Sequence, residues 1–182
     1  MEIIDNSVEM INTIKGTELL LGAGHNKKLQ LALPGKKDWK DMVSVDLDPN
    51  CNPDVMWDLT HIPYPFEDET FEEIHAYDVL EHLGQQGDYK QFFALFDELS
   101  RILKPEGRIM AATPVWDNIW AWGDPGHTRI INEGTITFLD RDNYTGKGDS
   151  AMTDYRHCYK SDFKIEHSQE VNGRLCFILK KK

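Results

Sequence analysis

The sequence predicts an α/β protein with a doubly wound, mostly parallel sheet of seven strands that ends in an antiparallel hairpin. Three observations predict it. Short apolar runs that close on Gly or Asp recur along the first two thirds of the chain, the pattern of strands buried on both faces. A long stretch of helical periodicity separates the fourth run from the fifth, as a crossover between parallel strands requires. Near the C-terminus an Asn-Gly pair stands between two strand-like runs, a strong short-range hairpin signal. With 182 residues, 40% of them hydrophobic and 28% charged, the whole of 1–182 reads as one globular domain.

Taken in order, Glu18 to Gly22 is the first predicted strand, Met42 to Asp46 the second, Asp54 to Asp58 the third and Phe71 to Asp78 the fourth. A short helix is expected after the first strand, interrupted early by Pro34-Gly35. Phe92, Leu95, Phe96, Leu99, Ile102 and Leu103 recur at three- and four-residue steps, which places them on one helical face. Asp88 is the expected N-cap, and Lys104-Pro105-Glu106-Gly107 the stop. Arg108 to Thr113 gives the fifth strand, and Phe163 to Glu170 with Arg174 to Lys180 form the hairpin around Asn172-Gly173. The intervening 115–150 reads as a lid or substrate segment. Its polar, Gly-rich part from Asn132 to Ser150 suits a mobile cover.

Charge narrows the partners. A net charge of −11 repels polyanions, so neither nucleic acid nor an anionic membrane is favoured. The basic pairs Lys27/Lys28 and Lys36/Lys37 and the run Lys180 to Lys182 read as solvated faces. Three widely spaced cysteines, Cys51, Cys158 and Cys176, suggest neither a disulfide framework nor a thiolate zinc site. The N-terminus has no basic start or apolar leader, and no apolar run is long enough to span a bilayer. The expected compartment is the cytoplasm.

A ligand site is legible at the strand ends. Gly22-Ala23-Gly24 directly follows the first strand, where glycines let the backbone turn tightly and approach a ligand. Asp46 ends the second strand at about the 20-residue offset of an acid that grips ribose hydroxyls. Asp58, ending the third, can accept from an adenine amine, with Leu59 packed near the ring. Read blandly, both aspartates are strand-end turn residues. Asn26 stands where a dinucleotide-binding loop has its third glycine, and no Gly-x-x-x-x-Gly-Lys occurs. The loop therefore suits a nucleoside without a pyrophosphate, such as S-adenosylmethionine.

The ordered string Glu18 to Gly24, Val45-Asp-Leu-Asp48, Trp57-Asp-Leu59, Phe71 to His75, Asp78-Val-Leu-Glu-His82 and Leu103 to Gly107 resembles the motifs of class I S-adenosylmethionine-dependent methyltransferases. With Trp120 to His127 included, it is particularly similar to small uncharacterised members from phage genomes. The resemblance covers roughly residues 18 to 113 and implies a Rossmann-like methyltransferase fold. It implies that Gly22, Ala23, Gly24, Asp46, Leu47, Asp58, Leu59, Asp78 and Val79 line the cofactor. It departs from the family at Leu20, where an acid is common, with Glu18 standing earlier.

Methyl transfer from a sulfonium is an in-line displacement that needs an aligned acceptor and sometimes a base. His127, in a Gly/Pro-rich loop, and His82, after the fourth strand, are the expected catalytic residues, with Glu81, Asp124 and Arg129 nearby in sequence. Alternatively His82 opens a helix and bonds locally. Asp78-x-x-Glu81-His82 with His127 is similar to the Glu-x-x-Glu-His…His metal-ligand set of some small-RNA-end and quinone-precursor O-methyltransferases. Asp in place of the first Glu ranks a divalent metal, Mg²⁺ or Mn²⁺, behind the metal-free reading. Trp116, Trp120 and Trp122 either wall an apolar acceptor or pack a lid, at least one of them the latter. The sequence lacks the Asp/Asn-Pro-Pro-aromatic string of amino-methylating DNA enzymes and a Pro-Cys nucleophile, which favours a small-molecule acceptor. RNA or protein methylation, and a non-catalytic nucleoside-binding module, are the alternatives. Oligomeric state is not legible.

Overall fold

The computed structural model describes residues 16–144 and 152–182. Its seven strands are β1 (Glu18–Leu21), β2 (Met42–Asp46), β3 (Val55–Met56), β4 (Phe71–Tyr77), β5 (Leu103–Pro114), β6 (Phe163–Val171) and β7 (Arg174–Lys181). They form one sheet in the order β3-β2-β1-β4-β5-β7-β6. β3, β2, β1, β4 and β5 pair in parallel, and β7 pairs antiparallel with both β5 and β6. The order reverses between β1 and β4, and at such a switch point the loops after the two strands diverge and leave a crevice.

The predicted helix is α1 (Tyr89–Ile102), capped by the Asp88 side chain, which accepts from the Gln91 N–H at 3.0 Å. Its Phe92, Phe96, Leu99 and Ile102 are buried on one face of the sheet. Strand alternation supplies the other half of that core. Leu19 and Leu21 of β1 and Leu175, Phe177 and Leu179 of β7 point into it, while Leu20 and Cys176 point the opposite way. β5 begins at Leu103 rather than Arg108. Lys104 precedes Pro105, which disfavours helical backbone there, so the chain turns extended at once. At the hairpin Asn172 and Gly173 have φ of 51° and 76°, the two left-handed residues of the tightest turn between antiparallel strands.

One expectation fails. No helix follows the glycine loop: 25–41 is irregular and lies on the second face, where Leu31 and Trp39 pack on Leu20, Ala23, Tyr77 and Ala112. A polar network holds it there. Lys36 pairs with Glu18 and Glu73, Glu18 accepts from the Lys40 N–H at 2.7 Å, and Tyr77 Oη accepts from the Leu31 N–H at 3.1 Å. Fully buried His75 links Glu73 at 3.0 Å to Tyr77 at 2.6 Å. Glu18 thus secures this segment instead of facing a ligand.

In the described part of the expected cover, 132–144, Ile136 and Leu139 are buried in the main core, as is Ile131 just before it. Short α2 (Ile119–Gly123) and α3 (Glu133–Thr137) lie in the long connection after β5. An Asn132–Thr135 capping box fixes the start of α3. The rest of the expected cover, 145–150, lies outside the described residues. No described helix is long and apolar enough to cross a membrane.

Candidate active site

The ends of β1 and β2 meet at the glycine loop. Gly22 has φ of 58°, and a Cβ there would run into the Val79 side chain. Glycine is needed on both counts. Asp46 Oδ2 accepts from the Gly24 N–H at 2.7 Å, and Oδ1 from the Asp48 N–H at 2.9 Å. One carboxylate therefore braces the glycine turn from the end of β2. Each oxygen retains a second lone-pair site for a diol. Ala23 is buried behind the turn, with its N–H on the Val45 carbonyl at 3.0 Å.

The remaining predicted cofactor residues are differently placed. Leu47 is exposed beyond Asp46, whereas Leu59 is buried in the core. Asp58 accepts from the Thr60 hydroxyl at 2.7 Å and N–H at 2.9 Å, and these bonds lower its pKa. It is the Asx-turn residue of the bland reading, still part-exposed. Asp78 has φ of 52° and is gripped by Arg174, whose Nε donates to Oδ1 at 3.0 Å and whose Nη2 lies 2.8 Å from Oδ2. Sequence reasoning missed Arg174. It follows the hairpin turn like any polar strand residue, and only the sheet order brings it to Asp78. Val79 closes against Gly22, which places the Asp78–Val79 turn directly beside the glycine loop.

Past that turn, Leu80–His82 makes a single 3-10 turn, and the chain runs alongside residues 126–129. Thr128 and Arg129 N–H groups both donate to the Glu81 carbonyl, at 3.0 and 3.1 Å, and Gln86 N–H donates to the Thr128 carbonyl at 2.9 Å. Arg129 fastens this pairing from within. It is buried, with Nη2 donating to the Gln85 and Asp88 carbonyls at 2.8 Å and the guanidinium over the Phe92 ring. Its role is structural.

This pairing sets Glu81, His82 and His127 together. The His82 and His127 ring centroids are 4.6 Å apart, edge to face. His82 Nδ1 lies 3.0 Å from the Gly126 carbonyl, which only accepts, so Nδ1 carries the proton. His127 Nε2 is 3.9 Å from both Glu81 Oε1 and Asp124 Oδ2. The Glu81 side chain is 3% exposed. Neither of its oxygens has a hydrogen-bond partner, nor has His127 Nδ1. Burial pushes the Glu81 carboxyl up to about 7. The crevice it shares with His127, Pro114, Ala121 and Ile131 has no room for a water-sized sphere.

Trp116, Trp120 and Trp122 are all largely exposed, so none packs a lid onto the core. Trp122 is fixed by an indole N–H bond to the Trp116 carbonyl at 2.6 Å. Next to Trp116 opens a cavity of about 290 Å³ lined by Val115, Ile131, Glu133 and Leu175, at the C-terminal end of β5.

No curated protein sequence matches that of the chain. Among solved structures, the fold is similar to an S-adenosylmethionine-dependent methyltransferase from Archaeoglobus fulgidus, at 16% identity and a TM-score of 0.57, over 95% of this chain and 90% of that one. It is similar to another from Mesorhizobium loti, at 13% identity and a TM-score of 0.52, over 96% of each chain. A third, from Aquifex aeolicus, shares 15% identity with a TM-score of 0.50, over 97% of this chain and 87% of that one. At such identities the likeness shows the fold. The family itself comes from the sequence, because the model of the methyltransferase domain matches residues 19–111. The match runs from β1 into β5 and takes in the glycine turn, the Asp46 brace and the Glu81–His82 turn: the chain belongs to the methyltransferase domain family.

Proposed function

We propose that this chain transfers the methyl group of S-adenosylmethionine to a small-molecule acceptor by in-line displacement, with His82 and His127 placed to act on the acceptor's proton. The observation that carries this reading is the buried Glu81 carboxyl after β4, without a hydrogen-bond partner and beside His127. It stands just beyond the Asp78–Val79 turn that closes on the glycine loop. In this reading Asp46 accepts from the ribose diol while it braces Gly24, Leu47 and the Asp58–Leu59 turn flank the adenine, and Asp78 and Val79 border the sulfonium end. The sulfonium loses its charge as the methyl leaves, so the protein chiefly aligns the acceptor and receives its proton.

A cavity of about 290 Å³ beside Trp116 is near the lower limit of small-ligand pockets, and the net charge of −11 opposes nucleic acid. Both support a small acceptor. The Trp120 to His127 string resembles that of small phage-encoded members, and its Trp120 and Trp122 are exposed.

The test is transfer of labelled methyl from S-adenosylmethionine into a fractionated cell extract. Label in the small-molecule fraction is expected, and label confined to RNA or protein would replace the acceptor class. Calorimetry with S-adenosylhomocysteine comes first. Absence of binding at millimolar ligand would make the chain a non-catalytic module of the same fold.

A further inference from the structure

We propose that Glu81, His82 and His127 bind one divalent first-row transition-metal ion. The inference rests on the reading of this region as the acceptor side, and deepens it: the two histidines would act on the acceptor through the ion. Three observations support it. First, one ligand-capable atom from each residue lies within 4.8 Å of the others. Ligands at about 2.0–2.2 Å from a shared ion stand roughly 3–4 Å apart, a difference that side-chain rotation can close. Second, Glu81 is buried with both oxygens unpartnered, and His127 Nδ1 is unpartnered too. A buried polar group without a partner is costly to keep. Third, the Gly126 carbonyl holds the His82 proton on Nδ1, which leaves the Nε2 lone pair free. A backbone acceptor of this kind orients a metal-binding imidazole.

The donor set differs from the one the sequence resemblance implies. Asp78 is taken by Arg174. Asp124 instead stands beside the group, 3.9 Å from His127 Nε2, with its Oδ1 held by the Gly126 N–H. Two imidazoles with one carboxylate favour Mn²⁺, Fe²⁺, Co²⁺ or Zn²⁺ over Mg²⁺, which prefers oxygen ligands. His82 is exposed whereas Glu81 is buried, so the group is approachable from the His82 side. An ion there would lower the pKa of an acceptor hydroxyl bound to it.

Co²⁺ is the probe, because nitrogen ligation gives it visible absorption independent of activity. The chain is stripped with chelator, dialysed and titrated. The Cys51→Ser background keeps the exposed His25–Asp48–Cys51 cluster from contributing a thiolate. One Co²⁺ per chain with ligand-field bands is expected. Glu81→Gln and His127→Ala should each weaken binding at least 10-fold, while S-adenosylhomocysteine binding and the thermal midpoint show that both variants fold. Zn²⁺ should displace Co²⁺, and Mg²⁺ should not. No binding at millimolar Co²⁺, or equal binding by both variants, would overturn the proposal. S-adenosylhomocysteine binding without Co²⁺ binding sinks the ion alone. Co²⁺ binding without S-adenosylhomocysteine binding upholds the ion and sinks the methyl-donor reading.

Discussion

Asp46 does two jobs with one carboxylate: it holds the Gly24 amide at 2.7 Å and, in the proposed function, receives the ribose. Asp46→Asn keeps the shape but removes the charge and one acceptor. Charge-assisted hydrogen bonds of this kind contribute about 1.5–3 kcal/mol, so S-adenosylhomocysteine affinity should fall about 10- to 100-fold. Unchanged affinity by calorimetry would remove Asp46 from the ligand site. Gly22→Ala tests the turn itself. A left-handed backbone and a collision with Val79 should together lower stability by about 1–3 kcal/mol in urea titration and weaken S-adenosylhomocysteine as well. These residues were legible because their chemistry is local: a glycine pair after an apolar run, and an acid closing the next one. Arg174 and Arg129 were not legible in their roles, since a guanidinium's partner is set by the tertiary fold, and Arg129 spends its donors on backbone carbonyls.

Strands that alternate along an apolar run, and the α1 stripe with its Asp88 cap, are written in residue order and were readable. The second face was not. There 25–41 replaces a helix, and what holds it is the set of contacts among Lys36, Glu18, Glu73, His75 and Tyr77, drawn from elements far apart in sequence. Pro34-Gly35 announced an interruption but not the absence of the helix. This network makes the element sensitive to acid. The hydrogen bond from His75, with Lys36 adding to it, holds Glu73 down at about 2, from an ordinary 4.5. Its stabilisation is therefore complete above about pH 4.5 and is lost as the pH falls toward 2. Burial lowers the His75 pKa below 6.5, so proton uptake by the unfolded chain already draws stability away below that pH. Between pH 7 and 4.5 the raised Glu81 carboxyl takes up its proton in the folded chain first and offsets that loss, so the clear decline in unfolding free energy should come below about pH 4.5. For Glu73 alone the loss should be on the order of 2 kcal/mol. Glu73→Gln should flatten that decline; an identical profile for the variant would refute the assignment.

For the molecule as a whole, the glycine turn, the Asp46 brace and the Asp78–Val79 turn all hang on one sheet, so occupancy should be felt by the entire fold. Binding only to the native state at 100 times Kd adds about 2.7 kcal/mol. In a chain of this size that raises the thermal midpoint by about 5–10 °C. Differential scanning calorimetry with S-adenosylhomocysteine would measure it, and a midpoint that does not move would contradict a cofactor site built into the sheet. The long connection after β5 was the least legible at this scale. Its Asn, Gly and Thr residues read as a cover, yet Ile131, Ile136 and Leu139 take places in the core, which too few apolar residues in sequence foretell. Strand order has a consequence for biosynthesis. β7 lies between β5 and β6, so the hydrogen-bonding edge of β5 stays open while a ribosome delivers everything from Val115 to Gly173. Through that interval the nascent chain carries a bare, mostly apolar edge that invites pairing with neighbouring polypeptides, and Arg174, which closes on Asp78, arrives only when that exposure ends.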